Sequence, residues 1–279
     1  MNKEAMKQTS SVKAEGAELV FDVQGSGTPI ILIPGAGGDS SVYGLIAPML
    51  SDQYTVITYD RRCNARSSGD ASVDMDMKQQ ARDAVAVLHA AGFNRGIYFG
   101  NSGGANIALQ VASDFPESVA LLVAHEPPAI NLLPDKADIG AFVQRVYSAS
   151  QTEGVGAAMT AFARSLVGFE NTGAQTGSPD QVKSMTYFFN REYLNITLVV
   201  PDLAAIEAAR IPVIMLAGEK SGEAFYARTA QVIAERLKCP FVRVPGNHLA
   251  FLFEPVPFAQ SLRRVIEQYS TSTPAPPLL

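Results

Sequence analysis

Short apolar runs alternate along the chain with longer segments whose apolar positions recur every three to four residues. Pro29–Ile33 and Tyr54–Tyr59 are mostly apolar, the profile of strands covered on both faces, and Gly96–Phe99, Val119–Ala124, Ile211–Leu216 and Phe241–Val244 predict further strands. Ala17–Val23, followed by the turn Gly25-Ser26-Gly27, predicts an opening strand. Between these runs Met77, Ala81, Ala84, Val85 and Leu88 share one helical face, and Asp74 or Asp76 is placed to cap it. Ala105–Ser113, Ala224–Leu237 and Val256–Tyr269 predict further helices. The alternation predicts an α/β fold, a mostly parallel sheet with helices on both faces.

One stretch breaks that rhythm. From Ile130 to Ala205 the patterns are helical (Ile139–Ser148, Val155–Val167 and Ser178–Tyr193), with no buried strand. The last opens on Ser178-Pro179, a serine cap followed by proline at the first helical position. An all-helical insertion between two strands predicts a lid or cap. The expected organisation is a core over residues 1–129, a helical cap over 130–205, a resumed core over 206–269 and a disordered tail over 270–279, where Pro274, Pro276 and Pro277 fall.

Composition narrows the classes of function. A chain of 279 residues suits one large α/β domain with a modest insertion. With 22 basic against 27 acidic residues and no basic stripe, nucleic-acid binding has no electrostatic support. No apolar run approaches membrane-spanning length, and the polar stretch Met1–Glu15 lacks the apolar centre of a signal peptide. Cys63 and Cys239 stand in unrelated contexts and read as free thiols, which with the polar start predicts a cytoplasmic setting. Asn195-Ile196-Thr197 matches a glycosylation acceptor but carries no weight without an export signal.

The chemistry concentrates at Gly100-Asn101-Ser102-Gly103-Gly104, a G-x-S-x-G sequence set between a strand and a helix. That context makes a nucleophile elbow, a sharp turn that lifts the serine hydroxyl above the sheet while the glycines let the two backbones pass. A serine nucleophile needs a base, and the chain has three histidines, His89, His125 and His248. His89 reads as a helix-end or partly buried residue and His125 as a packed residue of a pocket wall. His248 lies in the loop after the last strand, on the side of a parallel sheet where sites are built, and is the expected base. The acid that orients it is Glu126, held by the rigid Pro127-Pro128, with Glu219 in the turn after the next strand as the alternative. Backbone N–H groups of Gly103 and of Ala36, in the loop Pro34-Gly35-Ala36-Gly37-Gly38, are the expected oxyanion donors.

Taken together, the 34–38 loop, Asp60-Arg61-Arg62 with Arg66-Ser67, the elbow and Asn247-His248 resemble the α/β-hydrolases that carry a cap and a serine nucleophile. The resemblance spans nearly the whole chain, and the order Ser102, Glu126, His248 follows the family's nucleophile, acid, histidine. It implies esterase- or lactonase-like hydrolysis of a small-molecule ester or lactone, without cofactor or metal, through an acyl-enzyme on Ser102. Cap aromatics (Phe142, Tyr147, Phe162, Phe169, Tyr187, Phe188, Phe189 and Tyr193) divide between pocket lining and cap core, with more in the core. The sequence departs from the family at four places. Pro34 replaces a common histidine, and Cys63 and Ala65 stand where glycine is usual, the thiol either near the pocket rim or simply tolerated. Ser221 stands where the acid is usually found, and there is no tryptophan. Three rival readings remain: C–C hydrolase or lyase chemistry on the same fold, a ligand receptor without turnover, and a dinucleotide-binding oxidoreductase. For the last, the run 35–40 lacks the third glycine of G-x-G-x-x-G.

Overall fold

The computed structural model describes residues 7–169 and 179–270. Strands β1 (Gln8–Ala14), β2 (Ala17–Gly25), β3 (Thr28–Ile33), β4 (Tyr54–Tyr59), β5 (Gly96–Asn101), β6 (Val119–His125), β7 (Val213–Gly218) and β8 (Phe241–Val244) form one sheet in the order β1-β2-β4-β3-β5-β6-β7-β8. The β1/β2 and β2/β4 pairs are antiparallel, and every pairing from β4 to β8 is parallel. The helices are α1 (Ile46–Leu50), α2 (Met77–Ala90), α3 (Gly103–Asp114), α4 (Lys136–Thr152), α5 (Val155–Ala163), α6 (Pro179–Tyr187), α7 (Tyr193–Thr197), α8 (Leu203–Ala209), α9 (Phe225–Leu237), α10 (Ala250–Phe253) and α11 (Pro255–Ser270).

Both faces of the central strands are buried, and neighbouring residues fall into different cores. Ile31 and Ile33 of β3 join Tyr98, Leu122 and Met215 under α2, α3 and α9. Ile30 and Leu32 join Phe99, Val123 and Leu216 under α1 and α11. A two-residue period with both sets apolar is why these strands read as continuous apolar runs. The ends of the parallel strands therefore gather β3, β5, β6, β7 and β8 along one rim.

Several features differ from the sequence expectation, among them α5, which ends at Ala163 and not at Val167. β1 was not expected, because none of its residues is fully buried and its sequence carries no apolar period. β7 begins at Val213 rather than Ile211, just after Pro212, which has no N–H for a ladder. The segment read as one helix over Ser178–Tyr193 is α6, then a wider π turn over Phe188–Glu192, then α7. Ser178 lies outside the described residues, as does the expected tail beyond Ser270. Among the described residues of 130–205 there is no strand.

Candidate active site

Ser102 caps α3 with φ 55° and ψ −126°, a conformation strained for a residue with a side chain. The glycines around it are required by close approach. A Cβ on Gly100 would lie 2.2 Å from Gly104 O, and one on Gly104 would lie 2.0 Å from Ile33 O. The Ser102 N–H donates to His125 O of the adjacent strand (2.9 Å) and the Ala105 N–H to Ser102 O (2.9 Å), which lock the turn.

Glu126 is the first residue past β6, and its N–H donates to Leu216 O of β7 (3.0 Å). Its fully buried carboxylate accepts from the Gly218 N–H at Oε1 (2.8 Å) and lies 2.6 Å from His248 Nδ1 at Oε2. Burial pushes this carboxyl up, but the imidazoles of His125 and His248 outweigh it and hold it down at about 2. With Nδ1 donating to Glu126, Nε2 of His248 is the ring nitrogen left for a further partner. Asn101 Nδ2 donates to His248 O (3.0 Å), and Asn247 Nδ2 to Gly168 O (2.9 Å), so the loop bearing His248 is tied on both sides. Tyr226 covers one face of the ring at a centroid distance of 4.1 Å.

Glu219 is exposed in the turn after β7, whereas Ser221, at the family's usual acid position, is buried. His89 is exposed in the last turn of α2. His125 does not stand in a pocket wall as expected. It is fully buried beneath the site, its ring stacked 6.3 Å from His248, because β6 carries it into the core between Asn101 and Phe258.

The loop after β3 lies against the elbow. A Cβ on Gly35 would lie 3.0 Å from Ser102 Cβ and 3.3 Å from Gly103 N, so the peptides of Gly35 and Ala36 run beside the start of α3. Ser102 and His248 line a cavity of about 20 Å³. Its walls are Phe162, Phe188, Tyr193 and Ile196 from the helices between β6 and β7, with Phe225 and Tyr226 from α9. None of its described lining residues is charged. Of the other aromatics between β6 and β7, Phe142, Tyr147 and Phe189 pack into the core, Phe169 meets Phe253, and Tyr187 sits against Cys63. Cys63 does not line this cavity; it is half-buried and its thiol is pushed up by burial. A more open cavity of about 580 Å³ near β2 and β4 holds neither Ser102 nor His248, and its Lys7, Asp22, Asp60 and Arg66 are paired with one another.

Residues 28–255 match the model of the alpha/beta hydrolase fold. The chain belongs to this family. It is 27% identical over 273 residues to the "Uncharacterized hydrolase YraK" of Bacillus subtilis, spanning 94% of this chain and 97% of that one. Among solved structures, a thermophilic esterase from Thermogutta terrifontis superposes with a TM-score of 0.74 at 19% identity, covering 94% of this chain and 99% of the other. Est816, described as an N-acyl homoserine lactone degrading enzyme, superposes with a TM-score of 0.69 at 20% identity, covering 91% and 99%. Sequence reasoning missed Asn101, Ile196, Phe225 and Tyr226. Asn101 was already inside the elbow motif, and the adjacent rings of Phe225 and Tyr226, opening a helix after a strand-end turn, were the available signal for the cavity wall.

Proposed function

We propose that this α/β-hydrolase is a serine esterase or lactonase acting on small to medium, largely apolar substrates. The observation that carries the reading is the 2.6 Å contact between His248 Nδ1 and Glu126 Oε2, in a ring that shares its cavity with Ser102. Glu126 holds the imidazole in the tautomer whose Nε2 accepts a proton. His248 then takes the Ser102 proton as Oγ attacks the ester or lactone carbonyl. The N–H groups of Ala36 and Gly103 receive the oxyanion, and the positive end of α3 adds to them. His248 returns the proton to the departing alkoxide, and water cleaves the acyl-enzyme through the same base. The helical segment between β6 and β7 acts as the cap, since Phe162 of α5, Phe188 of the π turn and Tyr193 and Ile196 of α7 wall the cavity. The uncharged, aromatic lining supports a neutral acyl group and disfavours carboxylates and phosphates, which would lose their hydration unpaired.

Hydrolysis of p-nitrophenyl esters and acyl lactones, with fluorophosphonate labelling, tests the reading. Ser102→Ala abolishes labelling and lowers kcat by more than about 10⁴-fold, and Glu126→Gln lowers it by roughly 10³–10⁴-fold. Glu219→Gln stays within about twofold of wild type. Equal losses in the two glutamate variants, or labelling that survives Ser102→Ala, would sink the assignment.

A further inference from the structure

Arg61 is the largest fully buried side chain among the described residues. A guanidinium without access to water is tolerated only when its donors are met and its charge is paired. Here Nε donates to Pro34 O (3.0 Å) and Nη2 to Gly35 O (2.8 Å). Nη1 and Nη2 also form two 2.7 Å bonds to the carboxylate of Glu192, itself fully buried. Dehydration pulls the guanidinium down, and the charge and hydrogen bonds of Glu192 outweigh it, so Arg61 stays a cation. The backbone N–H of Arg61 donates to Gly38 O (2.8 Å). One residue thus grips the 34–38 loop at three carbonyls.

In a trans peptide the C=O and N–H point in opposite directions. Drawing the Gly35 carbonyl onto Arg61 therefore turns the Ala36 N–H of the same peptide away from Arg61. The partner of Arg61 comes from elsewhere in the chain. Glu192 closes the π turn Phe188–Glu192, which also supplies Phe188 to the cavity wall; such widened turns recur at functional sites. Asn64 Nδ2 adds a third donor to Glu192 (3.2 Å). Helix α6, which leads into that turn, also lies close to the loop, since a Cβ on Gly37 would lie 3.2 Å from Met185 Sδ.

We propose that Arg61 and Glu192 are positioning residues that aim the Ala36 N–H, so that the oxyanion hole is complete only when the cap segment bearing Glu192 is seated. This rests on the serine-hydrolase reading and on Ala36 as an oxyanion donor. The pair acts on the oxyanion and not on the acyl group, so its loss falls on kcat and leaves KM in place.

The test compares wild type with Glu192→Gln, Arg61→Lys and Asn64→Ala. It measures kcat and KM per fluorophosphonate-titrated site, the inhibition constant of an alkyl trifluoromethyl ketone whose hemiketal oxyanion occupies the hole, and Tm. Glu192→Gln keeps the size and strips the charge. Arg61→Lys keeps the charge but cannot span two carbonyls and a carboxylate. Both lower kcat per titrated site by roughly 10–100-fold, less than deleting a donor outright, with KM within about twofold and the ketone weakened in proportion. Asn64→Ala removes one donor from Glu192 and gives the same pattern at about threefold, which decides the matter if the charged variants do not fold. Unchanged kcat per site and unchanged ketone inhibition in the folded variants, whatever Tm does, would overturn the inference and leave a purely structural ion pair. A wild type without ester or lactone turnover, or a Ser102→Ala enzyme that keeps it, would instead overturn the parent reading and this one with it.

Discussion

The side-chain amide of Asn101 donates both of its hydrogens, one to His248 O (3.0 Å) and one to His125 Nδ1 (2.8 Å). Only the nitrogen end of the amide can face a carbonyl, so its orientation is set and His125 Nδ1 must accept. The proton of His125 then sits on Nε2, which is buried without a partner, at a cost of about 1–3 kcal/mol. A second proton would place a charge in the core. Burial, with the neighbouring His248 adding to it and Glu126 opposing it, brings His125 from the ordinary 6.5 down to about 4. Between those values the unfolded chain binds the extra proton, so stability falls as pH drops from 6.5 towards 4, by about 3 kcal/mol at the limit. Glu126 acts in the same direction at lower pH. Its carboxyl, ordinarily at 4.5, is held at about 2, so the stability it contributes is full above 4.5 and is lost as pH falls towards 2. Urea midpoints measured from pH 7 to 4 should decline in wild type and flatten in His125→Asn, whose Oδ1 can replace the Nδ1 acceptor. A slope that persists undiminished in the variant would assign the acid sensitivity to another group.

At the scale of elements, helix α2 separates the roles of two carboxylates, with one residue between them, that the sequence left as alternative caps. Asp76 accepts from the Lys78 N–H (2.9 Å) and is the cap, whereas Asp74 pairs with Arg191 of the π turn (3.1 Å). Asp76→Ala should therefore cost about 1 kcal/mol, a fall of roughly 2–4 °C in Tm. Asp74→Ala, which loses only an exposed ion pair, should cost less than about 0.5 kcal/mol; equal losses in thermal denaturation would contradict the assignment. The contrast marks what was legible. β3, β4, β5 and β6 were readable because burial on both faces writes itself as mostly apolar runs. The elbow was readable because a Cβ on Gly100 or Gly104 would run into backbone, so the motif's glycines are required. β1 was not, since an edge strand facing water needs no apolar period. Nor was the π turn, because the pairing of Glu192 with Arg61 spans 131 positions and local spacing carries no trace of it. Cys63 and Ala65 lie between these cases. Their departure from the family's glycines was visible, and their φ values of 65° and 44° give the reason glycine is usual there.

Across the whole molecule, the cavity at Ser102 is too small for the proposed substrate. Its volume of about 20 Å³ matches one or two waters, against several hundred Å³ for a typical ligand site. Turnover on this reading requires the helical segment to move, and its parts are not held equally. α7 is fastened to the core, with Asn106 Nδ2 donating to Ile196 O (2.9 Å) and Asn195 Nδ2 to Met75 O (2.7 Å). α5 buries a single residue, Ala158, and lightly packed elements open at the least free-energy cost. Phe162 of α5 closes the cavity by meeting Phe188, Phe189 and Tyr193 edge-on at 5.8–6.1 Å. Wild type should accordingly prefer acetyl over octanoyl esters. Phe162→Ala removes the ring that limits the acyl chain, and each methylene newly accommodated is worth ~0.8 kcal/mol. Room for two should raise the octanoyl-to-acetyl ratio of kcat/KM roughly tenfold. A ratio unmoved by Phe162→Ala, in an enzyme that still hydrolyses the acetyl ester, would show that the acyl chain takes another path and that α5 is not the wall that opens.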